Sequence, residues 1–270
     1  MDRKTLIAEI FSKKTFLCVG LDTAPDKLPR HLQNQPDAVF EFNRQIIDAT
    51  RDLCVAYKPN LAFYEARGAA GWRDFERTVE YIGATHFIIA DAKRGDIGNT
   101  SRMYAQAFFE HSACDAVTVA PYMGADSVTP FLDFPGKWAI VLALTSNAGS
   151  QDFQEKELAV SAEPLWETVL RSAQNWGSPE QLMFVVGATH PEAFSRVRTL
   201  APEHFLLVPG VGAQGGDLAA LCAQGLTADC GLLVNASRSI LYASSGPDFA
   251  EAARAEAQTI QQQMAALLPA

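Results

Sequence analysis

The feature that most constrains this chain is a repeated alternation. Short apolar runs rich in β-branched residues are followed by longer amphipathic segments, eight times over. Runs of four to seven apolar residues bounded by turn signals are too short for helices and read as buried strands. They predict strands at 16–21, 54–58, 87–91, 116–120, 138–144, 182–186, 205–208 and 231–235. The segments between them predict helices near 37–52, 73–82, 101–112, 125–133, 161–175, 191–200, 216–224 and 247–267. A further short helix at the start ends near Ser12. Eight strand–helix units within 270 residues predict a single (β/α)8 TIM barrel. A doubly wound open sheet is the alternative, because pattern alone does not establish closure. No Pro/Ser-rich linker, composition break or 20–50-residue repeat divides the chain, so one domain over 1–270 is expected.

A barrel of this kind carries its chemistry at the C-terminal ends of its strands. Polar residues gather there: Asp22 after the first run, Lys58 at the end of the second, Asp91 and Lys93 at the third. Thr145, Ser146 and Asn147 follow the fifth run, and Ser237 and Arg238 follow the eighth. The stretch from Asp91 to Thr100 is the densest. Side chains two apart on a strand share a face, which places Asp91 and Lys93 together. Asp96 comes three residues later, with Gly95 permitting a turn, and Thr100 lies near the next helix. Charges at a buried strand end need partners and commonly mark function.

The seventh and eighth strand ends read as an anion site. Gly210, Gly212, Gly215 and Gly216 allow backbone N–H groups to approach a ligand closely. Gln214 adds an amide donor, and Arg238 adds a planar fork suited to phosphate. Loops after strands seven and eight are a common phosphate site in barrels.

The net charge of −9 argues against nucleic acid and acidic membranes as partners, while a small anionic ligand needs only local donors. No stretch approaches 18 uninterrupted apolar residues, so no membrane span is expected. Met1-Asp2-Arg3-Lys4 leads into no long apolar core, so no signal peptide is expected. The five cysteines are scattered without a C-x-x-C pair, which predicts buried reduced thiols in a cytoplasmic protein.

These residues resemble the orotidine 5'-phosphate decarboxylase family. Asp91 to Thr100 matches its D-x-K-x-x-D-I-x-N-T pattern. The stretch from Val211 to Asp217 resembles its phosphate-side loop, and Ser237-Arg238-Ser239-Ile240 its last phosphate contact. The length, and the long segment between Ser146 and Ser161, are similar to the family's longer bacterial subgroup. The resemblance implies decarboxylation of orotidine 5'-phosphate to UMP without metal or other cofactor, through a C6 carbanion protonated by Lys93. It implies an alternating array of Lys58, Asp91, Lys93 and Asp96. It further implies that Asp22 holds the ribose, Ser146 contacts the pyrimidine, Gln214 links phosphate to base, and Gly215, Ser237 and Arg238 lie at the phosphate end. Finally it implies a homodimer in which Asp96 and Thr100 reach into the partner's site.

Two other readings remain open from sequence. A metal-dependent relative on the same barrel would carry a carboxylate at the second strand end, where this chain has Lys58, with Glu65 further along. A non-catalytic phosphate-ligand sensor would need Gln214 and Arg238 but not the charged array. Thr189-His190-Pro191-Glu192 reads as a helix start capped by Thr189. Trp72, Trp138, Trp166 and Trp176 read as packing residues, His86 and His111 lack metal-ligand spacing, and Arg94 has no assigned role.

Overall fold

The computed structural model describes residues 1–33, 35–189, 192–210 and 217–269. Its eight strands are β1 Leu17–Leu21, β2 Ala56–Pro59, β3 Phe87–Arg94, β4 Ala116–Val119, β5 Trp138–Leu144, β6 Leu182–Val186, β7 Phe205–Pro209 and β8 Leu232–Ala236. All pair in parallel, in sequence order, and β8 pairs back onto β1 through Leu17–Val234, Cys18–Asn235 and Val19–Ala236. The sheet is therefore a closed barrel, and the open-sheet alternative is excluded.

Closure explains why the strands read as continuous apolar runs instead of alternating ones. One face of each strand fills the barrel and the other packs under helices, so both need apolar residues. Every residue of β1, β2, β4, β6 and β8 is buried. Burial of this kind contributes roughly 25 cal/mol per Å² of apolar surface removed from water.

The outer helices are α1 Arg3–Lys13, α2 Ala38–Thr50, α3 Leu61–Glu65, α4 Gly68–Ile82, α5 Gly98–Gln106 and α6 Ala125–Leu132. They continue with α7 Ser150–Phe153, α8 Leu165–Gln174, α9 Ala193–Leu200, α10 Leu218–Gly225, α11 Arg238–Leu241 and α12 Phe249–Leu267. The short elements α3, α7 and α11 lie outside the expected set, because four or five residues are too few to show a helical period. Helix α4 starts earlier than its apolar pattern, and a π-helical segment, Ala107–His111, follows α5.

Helix α1 covers the N-terminal end of the barrel. Asp2 caps it by accepting from Thr5 N–H at 2.8 Å, and Leu6 and Ile10 are fully buried. Trp138 Nε1 donates to Met1 O, and Arg3 donates to Pro179 O and pairs with Asp229. With that end covered, the opposite end is where ligands can enter. All five cysteines are free and buried. No helix among the described residues is long and apolar enough to cross a membrane.

Thr189 does not cap α9. Its hydroxyl donates to Ser146 O at 3.3 Å, and the residue preceding the helix is Glu192, with no side-chain cap bond. His190 and Pro191 lie outside the described residues. The strand-end contact to Ser146 has taken the hydroxyl that the local sequence offered to the helix.

Candidate active site

The C-terminal ends of β2 and β3 bring three charged side chains into contact. Lys58 is 4% exposed and donates to Asp91 Oδ2 at 2.8 Å. Lys93 donates to Asp91 Oδ1 at 2.6 Å while half of its side chain faces the open end. Burial by itself disfavours the charged form of Lys58, but Asp91 and then Asp22 outweigh it and hold the ammonium above the usual lysine value. Burial likewise opposes charge on Asp91, but Lys58 and Lys93 overcome it and keep the carboxyl well below its usual range. The core of the site is thus a fixed plus–minus–plus row.

Asp91 and Lys93 meet for a different reason from simple strand alternation. Lys93 has a left-handed backbone, φ 47°, and the β3–β4 register shifts between Ala90 and Arg94. For a residue with a Cβ such backbone costs of order 1–3 kcal/mol and persists only when its surroundings hold it. Two contacts hold it here. Lys93 N–H donates to Thr118 Oγ1 at 2.9 Å, and Arg94 folds back to donate to Ala92 O at 3.0 Å. Arg94 also ion-pairs with Glu65 and lies over the rings of Tyr104 and Phe108. Glu65 is therefore occupied by Arg94.

At the β1–β8 junction, glycine is required. A Cβ on Gly20 would lie 1.8 Å from Ser237 Oγ and 3.0 Å from Asn235 Oδ1. The missing side chain lets Ser237 sit against β1, where Asn235 Nδ2 donates to its hydroxyl at 3.1 Å. Arg238 lines a cleft of about 800 Å³ with Lys27, Arg30, His31 and Tyr242. Its guanidinium has no acceptor among the described residues. Tyr242 ties the β1 loop to this end by donating to Asp22 O at 3.0 Å and accepting from Ala24 N–H at 2.9 Å. Asp22 Oδ1 and Asn235 Oδ1 are buried without a hydrogen-bond partner among the described residues. Buried acceptors in that condition fit a ligand hydroxyl or amide. Gln214 and Gly215, with Val211 to Gly216 as a whole, lie outside the described residues.

Asp96, Thr100 and Ser146 stand apart from the charged row. Asp96 Oδ1 accepts from Ile97 N–H at 2.7 Å and forms no ion pair among the described residues. Thr100 is exposed on the first turn of α5. Ile97 and Met103 on the same segment, and Tyr122 and Met123 after β4, are large, apolar and exposed. Ser146 is half-buried at the β5 end, packed so closely that a Cβ on Gly187 would lie 2.7 Å from its backbone nitrogen.

Comparison with known proteins agrees with this geometry. The sequence model of the Orotidine 5'-phosphate decarboxylase / HUMPS family matches residues 15–255. The chain belongs to this family. It is 58% identical to the orotidine 5'-phosphate decarboxylase of Bacteroides fragilis, over 100% of this chain and 99% of that one. It is 57% identical to the enzyme of the same name from Phocaeicola vulgatus, over 98% of each chain. The solved structure of Leishmania donovani OMP decarboxylase superposes with a TM-score of 0.84 at 37% identity, over 99% of this chain and 98% of that one.

Within this decarboxylase family member, the sequence reading overlooked two site residues. Thr118 donates to Asp91 Oδ1 at 3.0 Å while accepting from Lys93 N–H. It sits inside an apolar strand run, where a lone Thr gives no signal of its own. Asn235 was legible only as the polar end of an otherwise apolar strand. Among the described residues, no group of three or more His, Cys, Asp or Glu side chains is placed to hold a metal ion.

Proposed function

We propose that this chain decarboxylates orotidine 5'-phosphate to UMP and carbon dioxide, as a carboxy-lyase of pyrimidine biosynthesis. The observation that carries the reading is the Lys93 ammonium, held 2.6 Å from Asp91 at the open end of the barrel with the second cation, Lys58, buried behind it. Close relatives of the same name over the whole length support it.

The chemistry follows from the charges. Loss of CO2 from C6 breaks the C–C bond and leaves its electron pair on C6 as a localised carbanion. Lys93 stabilises that charge as an ammonium and then transfers a proton to C6. Asp91 faces the departing carboxylate. At ~4 Å and an effective dielectric of ~20, two such charges repel by about 4 kcal/mol. Enzymes commonly lower barriers by about 8–23 kcal/mol, so repulsion supplies a minority. The larger share is assigned to preorganised stabilisation of the carbanion by Lys93. Binding energy from the phosphate, gripped by Arg238, Ser237, Gln214 and Gly215, supplies the rest. Lys58 and Asp22 hold ribose hydroxyls, and Ser146 contacts the pyrimidine.

The active unit is a homodimer in which Asp96 and Thr100 complete the partner's site. Support comes from Asp96, which stands outside its own chain's charged row, and from the exposed apolar residues beside it. The work is cytoplasmic, consistent with buried free thiols. A metal-dependent relative is disfavoured because Lys58 places an ammonium where a cation would need a carboxylate, and Glu65 is paired to Arg94.

The test is ultraviolet loss of orotidine 5'-phosphate in excess EDTA, with wild type and Lys93→Ala. Turnover by wild type alone, with the variant reduced by roughly 10⁴-fold or more, is the expected result. No turnover by folded wild type would sink the proposal, and turnover that depends on added Mg²⁺ would move it to the metal-dependent branch.

A further inference from the structure

We propose that Thr118 is a positioning residue for the proton transfer, acting through both Asp91 and Lys93. The inference rests on the decarboxylase reading above. Thr118 is 1% exposed on β4, and its hydroxyl touches two partners. The direction of both bonds is settled by elementary accounting. Lys93 N–H can only donate, so the hydroxyl oxygen accepts there. The single hydroxyl proton therefore points at Asp91 Oδ1, 3.0 Å away.

This one hydroxyl does two things at the reacting centre. It pins the backbone of Lys93 in its left-handed turn, which sets where the ammonium stands. It also holds the same carboxylate oxygen that the ammonium uses, Asp91 Oδ1. When Lys93 gives its proton to C6 it becomes a neutral amine, and Asp91 Oδ1 loses its charged donor. Lys58 still holds Oδ2, and Thr118 still donates to Oδ1. The carboxylate thus stays in place through the step and is ready when the amine regains a proton from solvent. Both partners of the hydroxyl are protein groups in the charged row, so its loss is expected to act on the chemical step and not on substrate affinity.

The experiment uses Thr118→Val, which keeps the shape and removes the hydroxyl, and Thr118→Ser, which restores it. Both are assayed for kcat and KM with orotidine 5'-phosphate and for UMP affinity. Thr118→Val is expected to lower kcat roughly ten- to hundredfold, the effect of losing a hydrogen bond to a charged group, with KM and UMP affinity within about twofold. Thr118→Ser is expected to keep kcat within about threefold of wild type. The proposal is overturned if Thr118→Val keeps wild-type kcat, if Ser is as impaired as Val, or if UMP affinity falls in step with kcat. Should Val not fold, Thr118→Cys takes its place, since a thiol packs similarly and donates weakly. Wild type that fails to decarboxylate would sink the functional reading itself, whatever the variants do.

Discussion

Lys58 and Asp91 form a buried ion pair at 2.8 Å, with Lys58 4% and Asp91 9% exposed. Such a pair is weak evidence for stability, because desolvation offsets most of the attraction. Its position matters more. Lys58 lies across from Gly20 in the β1–β2 register, so it faces the space in which Asp22 and Ser237 also stand. The cation anchors Asp91 from behind and leaves the other carboxylate oxygen for Lys93.

Removing one partner leaves a buried charge short of a donor. Lys58→Met is expected to destabilise the fold by about 3 kcal/mol, since breaking a buried pair costs about 3–5 and Lys93 still compensates in part. Thermal unfolding at pH 7.5 reads this as a loss of roughly 6–12 °C. An unchanged midpoint would mean that Asp91 finds enough donors without Lys58.

The proposed sharing of Asp96 and Thr100 between subunits makes a complementation prediction. On that proposal, Lys93→Ala and Asp96→Ala each damage both sites of their own homodimer. Mixed and reassembled 1:1, they form heterodimers with one intact site, so activity is expected to recover toward about one quarter of wild type. Recovery well above the sum of the separate variants supports the exchange of Asp96 between subunits. Activity that stays additive after subunit exchange would place each site within one chain.

Gly20→Ala tests the β1–β8 junction. The new methyl would meet Ser237 Oγ at 1.8 Å, so Ser237 must move, and Arg238 follows it in sequence. If Ser237 and Arg238 hold the phosphate as proposed, the expected outcome is a KM raised about tenfold or more, as ground-state and transition-state contacts are lost together. A wild-type KM in the folded variant would show that the junction has slack.

Acid stability should track buried histidines before it tracks Asp91. His204 is buried against the Phe184 ring with neither ring nitrogen hydrogen-bonded among the described residues. Burial, then the charges of Arg3 and Arg198, push its pKa down to about 4. Burial first does the same for His86, also to about 4. Between the ordinary histidine value of ~6.5 and about 4 the unfolded chain binds protons that the native state refuses, so stability falls as pH falls through that window. Asp91 behaves otherwise. Its contribution is intact above the ordinary carboxylate value and is lost only at lower pH. His204→Phe is therefore expected to raise the melting temperature at pH 5 by more than at pH 7.5. Equal shifts at both values would mean that His204 takes no part in the acid loss.

Much of this was legible in the order of residues. Burial on both faces forces parallel strands to be apolar throughout, so eight runs revealed eight strands at nearly their true bounds. Lys58, Asp91, Lys93 and Arg238 were legible because a charge at the end of an apolar run is costly unless it has a partner or a ligand. What local pattern could not contain was contact between distant strands. Barrel closure pairs Leu17 with Val234, and it seats Ser237 and Asn235 in the space left by Gly20. The β3–β4 register, with its shift beside a left-handed Lys93, brings in Thr118 from 25 residues away. Periodicity is a property of neighbours along the chain, and it determined the elements and the end of each strand where chemistry sits. Register and closure belong to the whole packed barrel, and only they decided which hydroxyl holds Asp91 and Lys93 together.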